Sequence, residues 1–301
     1  VVLSTIGFGG LLYGFSTASS AGWSATEVWG TIVLGAIGIA WFIVRQFRLE
    51  EPLLDLRIFT YPAYALASVV SMVLSVAMFS GMILTPAYVQ NVRGIDPFEA
   101  GLMMLPGAIV MGIMSPITGK LFDRFGPRIL AVIGLAITTV ATVALGYLET
   151  DSTYMFIITV YTIRMLGISL VMMPIMTNGL NALPNRLNPH GTAMNNTAQQ
   201  VAGAIGTAIL VTIFNSHTKT RAEEIVADMQ ANATSAIQPT ADQIAQLQAQ
   251  VMQQAMLDGI TFSFFVAAVV TFVALILALF IKRVDVTKRD DYTGPVPKKS
   301  E

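Results

Sequence analysis

The sequence predicts an all-α membrane protein with eight transmembrane helices, on the basis of its composition, its apolar runs and the placement of its basic residues. Of its 301 residues, 54% are hydrophobic and only 12% are charged, whereas soluble domains carry roughly 25% charged residues. Apolar runs near the length that a bilayer requires, about 20 residues per helix, follow one another along the chain. These runs lack the alternating polarity of membrane β-strands.

The apolar runs define eight predicted spans of unequal length. The chain starts with the apolar letters VVLSTIG, without the basic segment that opens a signal peptide, so we expect it to begin inside a helix. The second span is short and the third is long, so some tilt in the bilayer is expected. We place the spans at residues 1–18, 28–44, 63–89, 98–118, 129–147, 154–178, 192–214 and 259–281.

The basic residues fall mostly on one side of this predicted topology. With the C-terminus in the cytoplasm, the outer side carries only Arg93, Lys219 and Arg221, while Arg164 lies within a span. This bias follows the positive-inside rule and supports a multi-pass protein of the cell membrane, because one span more or fewer would break the alternation. The cytoplasmic basic residues are Arg45, Arg48, Arg57, Lys120, Arg124, Arg128, Arg186, Lys282, Arg283, Lys288, Arg289, Lys298 and Lys299.

Two polar segments lie outside the spans. Residues 216–257 form the long segment on the outer side, in which apolar residues recur at helical spacing. They form either a small helical hairpin or a solvated loop with partial helix. Residues 284–301 are polar and are predicted to be a disordered cytoplasmic tail.

Composition also excludes several classes of function. There is no cysteine, and the two histidines, His190 and His217, lie far apart, so neither a disulfide framework nor a metal site is expected. The phosphate-binding motif GxxxxGK[ST] is absent from the sequence. A net charge of −1 offers no footprint for nucleic acid. We expect no cofactor, no metal and no catalytic residue, and we expect the lipid bilayer and a small molecule as partners.

Arg164 interrupts the apolar stretch TVYTIRMLGISLVMMP near the middle of the sixth span. A charge at that depth costs roughly 2.5–3.5 kcal/mol on insertion scales, so it is expected to be functional or paired inside the bundle. It either lines a water-filled cavity or polarises a proton site, or it braces the bundle against helix carbonyls. Every acid of the chain lies in a loop, a tail or a helix end. Its partner is therefore a neutral polar group or a carboxylate outside this chain.

A row of polar residues runs along one face of the seventh span. Asn178, near the end of the sixth span, could join it. Amides that faced lipid would be costly, so the row is expected to face water in a cavity or to form hydrogen bonds with a neighbouring helix. The row consists of Thr192, Asn195, Asn196, Gln199, Gln200 and Gly203, at helical spacing from the cytoplasmic end to mid-membrane.

The segment GKLFDRFGPR, residues 119–128, connects the fourth and fifth spans. Gly119 allows close helix approach, and Asp123 can accept backbone N–H bonds or pair with Arg124 or Arg128. Gly126 permits a turn, and Pro127 suits a first helical position. By itself the segment is equally well read as an ordinary cytoplasmic turn of mixed charge.

This segment resembles the signature loop G-x-x-x-D-R-x-G-R-R of the major facilitator superfamily, which follows the second helix of each six-helix half. Gly119, Asp123, Arg124, Gly126 and Arg128 match, whereas Pro127 replaces a basic residue. In the fourth helix of such a half the family often carries R-x-x-x-G, and here Gly167 follows Arg164 one residue early. The stretches EEPLLDLRIF and LNPHGTAMNNTAQQVAGAIGTAI, residues 50–59 and 187–209, resemble segments of its fourteen-spanning drug:proton antiporters.

The resemblance implies two linker helices in residues 1–58 and the six-helix C-terminal half of a transporter in residues 59–283, with the first six helices missing. It implies proton-coupled efflux of small lipophilic or cationic compounds by alternating access. Substrate and proton would pass Arg164 and the row, and residues 119–128 would act in gating. The proton-carrying acid would lie in the missing half. The alternatives are a channel or non-transporting membrane scaffold, and a membrane-embedded lipid-modifying enzyme.

Overall fold

In a computed structural model of the protein, the described residues are 2–23, 25–48, 55–232 and 241–284. Residues 285–301 of the predicted tail and residues 50–54 of the predicted connector lie outside the described residues. The described part of the chain consists of helices and short connections without a strand, which confirms the prediction of an all-α membrane protein. The helices are α1 Val2–Ala21, α2 Thr26–Arg48, α3 Pro62–Ala87, α4 Pro97–Phe125, α5 Pro127–Leu145, α6 Tyr154–Asn181, α7 Asn188–Asn232 and α8 Ala241–Ala278.

Each predicted span coincides with one of these helices. Within the described ranges, the seven helices from α2 to α8 are long and apolar enough to cross a membrane. Short helical segments precede α3 at Leu56–Thr60 and α7 at Asn185–Leu187. After Pro86, which cannot donate a backbone hydrogen bond, α3 continues as a π-helix at Tyr88–Val92.

Helix α6 lies at the centre of the bundle, where it packs against α3, α4 and α5. In its most apolar stretch 56% of the residues are buried, against 17% in α4. Helix α8 packs against α3, α5 and α7, and α7 also packs against α3. The polar groups that we describe below lie on α3 and α6 or on the helices that pack against them.

The segment 216–257, which is predicted to lie on the outer side, is helical at both ends. Helix α7 continues without interruption to Asn232, and α8 starts at Ala241. Arg221 of α7 forms an ion pair with Asp258 of α8, with 2.8 Å between Nε and Oδ2. Near their base, the Gln253 amide donates a hydrogen bond to the carbonyl of Val92 (2.7 Å). These contacts tie the two extensions to each other and to the end of α3.

Helices α1 and α2 form a hairpin whose contact surface consists of glycines. A Cβ atom added to Gly35 would lie 2.6 Å from the backbone nitrogen of Leu11, and one added to Gly10 would lie 3.1 Å from the Cα of Gly35. Helix α1 also packs against α7, and the Trp23 indole donates a hydrogen bond to Thr212. Close backbone approach of this kind is typical of helix pairs in membranes.

Replacing Gly35 with leucine is expected to separate this hairpin, because the backbone atoms that the new side chain would meet cannot move without the helix. The chain has no cysteine, so Phe8→Cys and Phe42→Cys, whose native rings lie 6.4 Å apart between centroids, provide a cross-linking pair. With a short bismaleimide we expect efficient cross-linking that Gly35→Leu abolishes. Gly30→Leu is the matched control, because nothing lies within 4 Å of a Cβ at Gly30. Equal yields in the two leucine variants would refute the glycine contact.

Candidate functional site

The Arg164 side chain is completely buried between three helices. Its Nε donates a hydrogen bond to the Thr142 hydroxyl of α5 (3.1 Å). Its Nη2 donates to the carbonyl of Ala77 and to the hydroxyl of Ser80 (3.3 Å), both on α3. Its Nη1 has no partner among the described residues. A single guanidinium thus connects α3, α5 and α6 at mid-membrane.

Gly81 makes room for this guanidinium. A Cβ atom at Gly81 would lie 1.8 Å from Nη1 and 2.6 Å from Cζ of Arg164, so only glycine accommodates the side chain in this position. No Asp or Glu of the described residues forms an ion pair with Arg164. Of the two interpretations from the sequence, the structure therefore shows bracing against a helix carbonyl and neutral hydroxyls. In this conformation α3 and α5 cover the side chain, and a role of Arg164 on the substrate or proton path stays a prediction.

The polar row of α7 is divided between a buried and an exposed edge. Asn195 is buried, and its Nδ2 has no partner in the described part of the chain. Gln199 is half-buried and lines a small cavity beside Ser71 and Ser75 of α3. Asn196 and Gln200 are exposed. The row is wider than the face of α7 that α3 covers. One part of it is therefore packed, and the other part is exposed.

Asn178 does not join this row. Its Nδ2 donates to the carbonyl of Lys282 (3.0 Å), and its Oδ1 accepts from the backbone N–H of Val284 (3.1 Å). Both partners follow the end of α8, and the asparagine is buried. Both ends of its amide therefore hold the chain that leaves α8, and a place for Asn178 on the substrate path stays a prediction.

Residues 119–128 are not the loop that the sequence suggested. Helix α4 continues to Phe125, and only Gly126, with φ of +79°, separates it from Pro127 at the start of α5. The predicted roles of Gly126 and Pro127 agree with this geometry. Asp123 forms no ion pair with Arg124 or Arg128 within the described ranges. Instead its backbone carbonyl accepts a hydrogen bond from Arg283 Nη2 (3.2 Å).

A wide cleft of about 740 Å³ opens next to this turn. It lies between the C-terminal ends of α4 and α6 and the chain that follows α8, and Gly119 at its wall is close to Met173 of α6. The exposed Arg124 and Arg128 are not among its walls. The lining residues are Gly119, Phe122, Asp123, Met173, Thr177, Asn181, Arg283 and Val284.

The sequence analysis missed the residues that surround Arg164. Gly81, Ser80 and Thr142 look like ordinary small residues of apolar helices when they are read alone. A signal was available in the third span, where serines recur within a few turns, because hydroxyls in lipid-embedded helices usually bond to a neighbouring helix. Such a signal identifies a polar face but not the residue that it meets.

Comparison with known proteins gives consistent matches. The family model of the Major Facilitator Superfamily matches residues 2–207. The uncharacterized MFS-type transporter YhcA of Bacillus subtilis is 50% identical over 217 residues, which are 72% of this chain and 41% of YhcA. The lincomycin resistance protein LmrB of Bacillus subtilis is 40% identical over 288 residues, which are 95% of this chain and 56% of LmrB.

A crystal structure shows the same fold. A bacterial homologue of the human lysosomal transporter Spinster, in an inward-facing and occupied conformation, matches 95% of this chain and 68% of that chain with a TM-score of 0.61 and 17% identity. This chain spans about half the length of the curated relatives it matches. The family model, the relatives and the fold agree that the chain belongs to the Major Facilitator Superfamily, a family of membrane transporters rather than enzymes.

Proposed function

We propose that this chain is the C-terminal part of a proton-coupled exporter of small lipophilic or cationic compounds in the cell membrane. In this proposal α3–α8 form one transporter half, α1 and α2 are linker helices, and a further six-helix half precedes them. The names of two relatives, the lincomycin resistance protein LmrB and the tetracenomycin C resistance and export protein of Streptomyces glaucescens, support export of drug-like molecules.

The exposed edge of the polar row carries this proposal. Gln200 lies two turns beyond Thr192 in α7, about 12 Å along the helix axis, and both Asn196 and Gln200 are exposed. Amides do not face lipid at that depth, so they require water or another protein segment. A substrate cavity shared with a preceding half supplies both.

The proton-carrying group is expected to lie outside this chain. Proton coupling requires a group that titrates on the transport path, and Arg164 is held by neutral partners. No acid of the described residues forms an ion pair with Arg164. We therefore assign the proton site to a carboxylate of the preceding half.

Gating is assigned to the cytoplasmic end of the bundle. With the C-terminus in the cytoplasm, the turn at Gly126 and the cleft beside Asp123 lie at that end, and Arg283 connects the turn to the end of α8. Rocking of the two halves about a site near mid-membrane would open and close this end, as in other transporters built from repeated halves. Arg124 and Arg128 are exposed and available to contact the other half.

The test is dye export by the full-length protein that contains this chain. In vesicles with an imposed proton gradient we expect ethidium transport that stops when the gradient is collapsed. Gln200→Leu is expected to slow transport several-fold, because it removes an amide from the exposed edge of the row. Val269→Leu on α8, at an apolar position with 64% exposure, is the control and should transport normally. Flux that persists without a gradient would indicate a channel, and no flux would refute the proposal.

A further inference from the structure

A small, partly open cavity lies between α3, α6 and α7, apart from the wide cytoplasmic cleft. It has room for the centre of one water molecule, about 10 Å³. Its wall is mostly apolar, with Leu74, Met78 and Met172, and its smaller polar part consists of Ser71, Ser75 and Gln199. A cavity of this size and polarity holds a single hydrogen-bonding group.

The polar groups of the cavity are only partly used by the protein. The Ser75 hydroxyl donates to the carbonyl of Ser71 (3.0 Å), which leaves its oxygen lone pairs available to a further donor. One helical turn away on α7, the Asn195 Nδ2 is buried and lacks a partner among the described residues. The buried donors and acceptors on the facing sides of α3 and α7 therefore outnumber the hydrogen bonds that these two helices form with each other. This excess is unfavourable unless another molecule supplies the missing partners.

The cavity is uncharged. No Asp, Glu, Lys, Arg or His is among its described lining residues. Arg164 meets a different face of α3, at Ala77 and Ser80, and its Nε and Nη2 are engaged there. A cation in the cavity would lose its hydration without gaining a countercharge, whereas an uncharged hydroxyl or amide would replace the hydrogen bonds of one water.

We propose that this cavity is a subsite for one uncharged hydrogen-bonding group, a hydroxyl or a carboxamide, of a transported molecule. Gln199 presents both an amide donor and an amide acceptor to this group, and the hydroxyls of Ser71 and Ser75 complete its hydrogen bonds. The flexible side chains of Met78 and Met172 adapt to the carbon skeleton next to it. This subsite rests on the proposed transport function and narrows it, because it selects for hydroxylated or amide-bearing molecules over simple cations.

Two probes distinguish a subsite for an uncharged hydrogen-bonding group from a site that accepts cations equally well. Chloramphenicol is uncharged and carries hydroxyls and an amide, whereas tetraphenylphosphonium is a permanent cation without a hydrogen-bonding group. We would measure equilibrium binding of both radiolabelled probes to the full-length protein in lipid nanodiscs. Gln199→Leu is expected to weaken chloramphenicol binding roughly ten-fold and Ser75→Ala several-fold, the effect of one lost hydrogen bond each. Tetraphenylphosphonium binding should change less than about two-fold, the range of surface effects.

The control is Thr197→Val, because the Thr197 hydroxyl bonds to Ala193 of its own helix (2.8 Å). It should leave both dissociation constants unchanged, and heating curves verify that each variant is folded. The subsite is overturned if the unmodified protein binds no chloramphenicol, if Gln199→Leu and Ser75→Ala weaken both probes equally, or if they alter thermal stability alone. The last result would mean that the cavity holds a structural water. Absence of gradient-driven ethidium export refutes the transport function separately, whatever the binding data show.

Discussion

Gly81→Ala is expected to destabilise the protein strongly when Arg164 is present and only slightly in an Arg164→Met background. The added methyl group would lie 1.8 Å from Nη1 of Arg164, so the guanidinium must leave its place. It would then lose the hydrogen bonds to Thr142 and Ser80 and the one to the Ala77 carbonyl. A buried charge deprived of its partners costs about 3–5 kcal/mol.

The double-mutant cycle distinguishes this steric cause from a general effect of alanine in α3. Methionine is flexible and uncharged, so it can bend away from the new methyl group. In the Arg164→Met background the cost of Gly81→Ala should therefore fall below about 1 kcal/mol, which leaves a coupling energy of about 2 kcal/mol or more between the two positions. The measurement is the apparent melting temperature of the four proteins, followed as loss of monodisperse protein on heating. Gly112→Ala on α4 is the control, since nothing lies within 4 Å of a Cβ there. A Gly81→Ala cost that is the same in both backgrounds would show that Arg164 does not occupy this place.

Hydropathy predicted where the helices cross the membrane but not where they end. The predicted span 192–214 corresponds to α7, which continues to Asn232. Its extension is polar. Outside the lipid a helix tolerates polar residues, so its composition resembles that of a loop although its backbone hydrogen bonds continue. The same limit explains why residues 119–125 looked like a loop although α4 includes them.

The position of the polar residues along their helices was predictable, whereas their direction around the helix axis was not. Arg164 was placed near mid-membrane from its position in the sixth span, and the structure has it inside the bundle because α3 and α5 flank that face of α6. The sequence could not show this, since α6 is apolar on all sides. Asn178 illustrates the same limit: its partners Lys282 and Val284 lie more than one hundred residues away in the sequence.

Gly167→Ala and Gly134→Ala are expected to push α5 and α6 apart and to destabilise the protein. A Cβ atom at Gly167 would lie 2.7 Å from the carbonyl oxygen of Gly134 and 2.5 Å from Thr138 Oγ1. One at Gly134 would lie 2.6 Å from the carbonyl oxygen of Gly167. Because the two carbonyl oxygens belong to the backbones on both sides of the contact, the helices themselves must move. We expect a cost of about 3 kcal/mol, at the upper end of overpacking effects.

This separation should also reach the arginine, which is three residues from Gly167 on α6. The Thr142 hydroxyl that accepts from Arg164 donates to the Thr138 carbonyl (2.7 Å), and the Thr138 hydroxyl donates to Gly134 (2.8 Å). Moving α5 therefore moves the acceptor away from the guanidinium. We expect the melting temperature of Gly167→Ala to fall further than that of Thr142→Val, which removes only the hydroxyl, while Gly101→Ala on the open face of α4 remains unchanged. If Thr142→Val were as damaging as Gly167→Ala, the hydrogen bond rather than the backbone contact would hold α5 against α6.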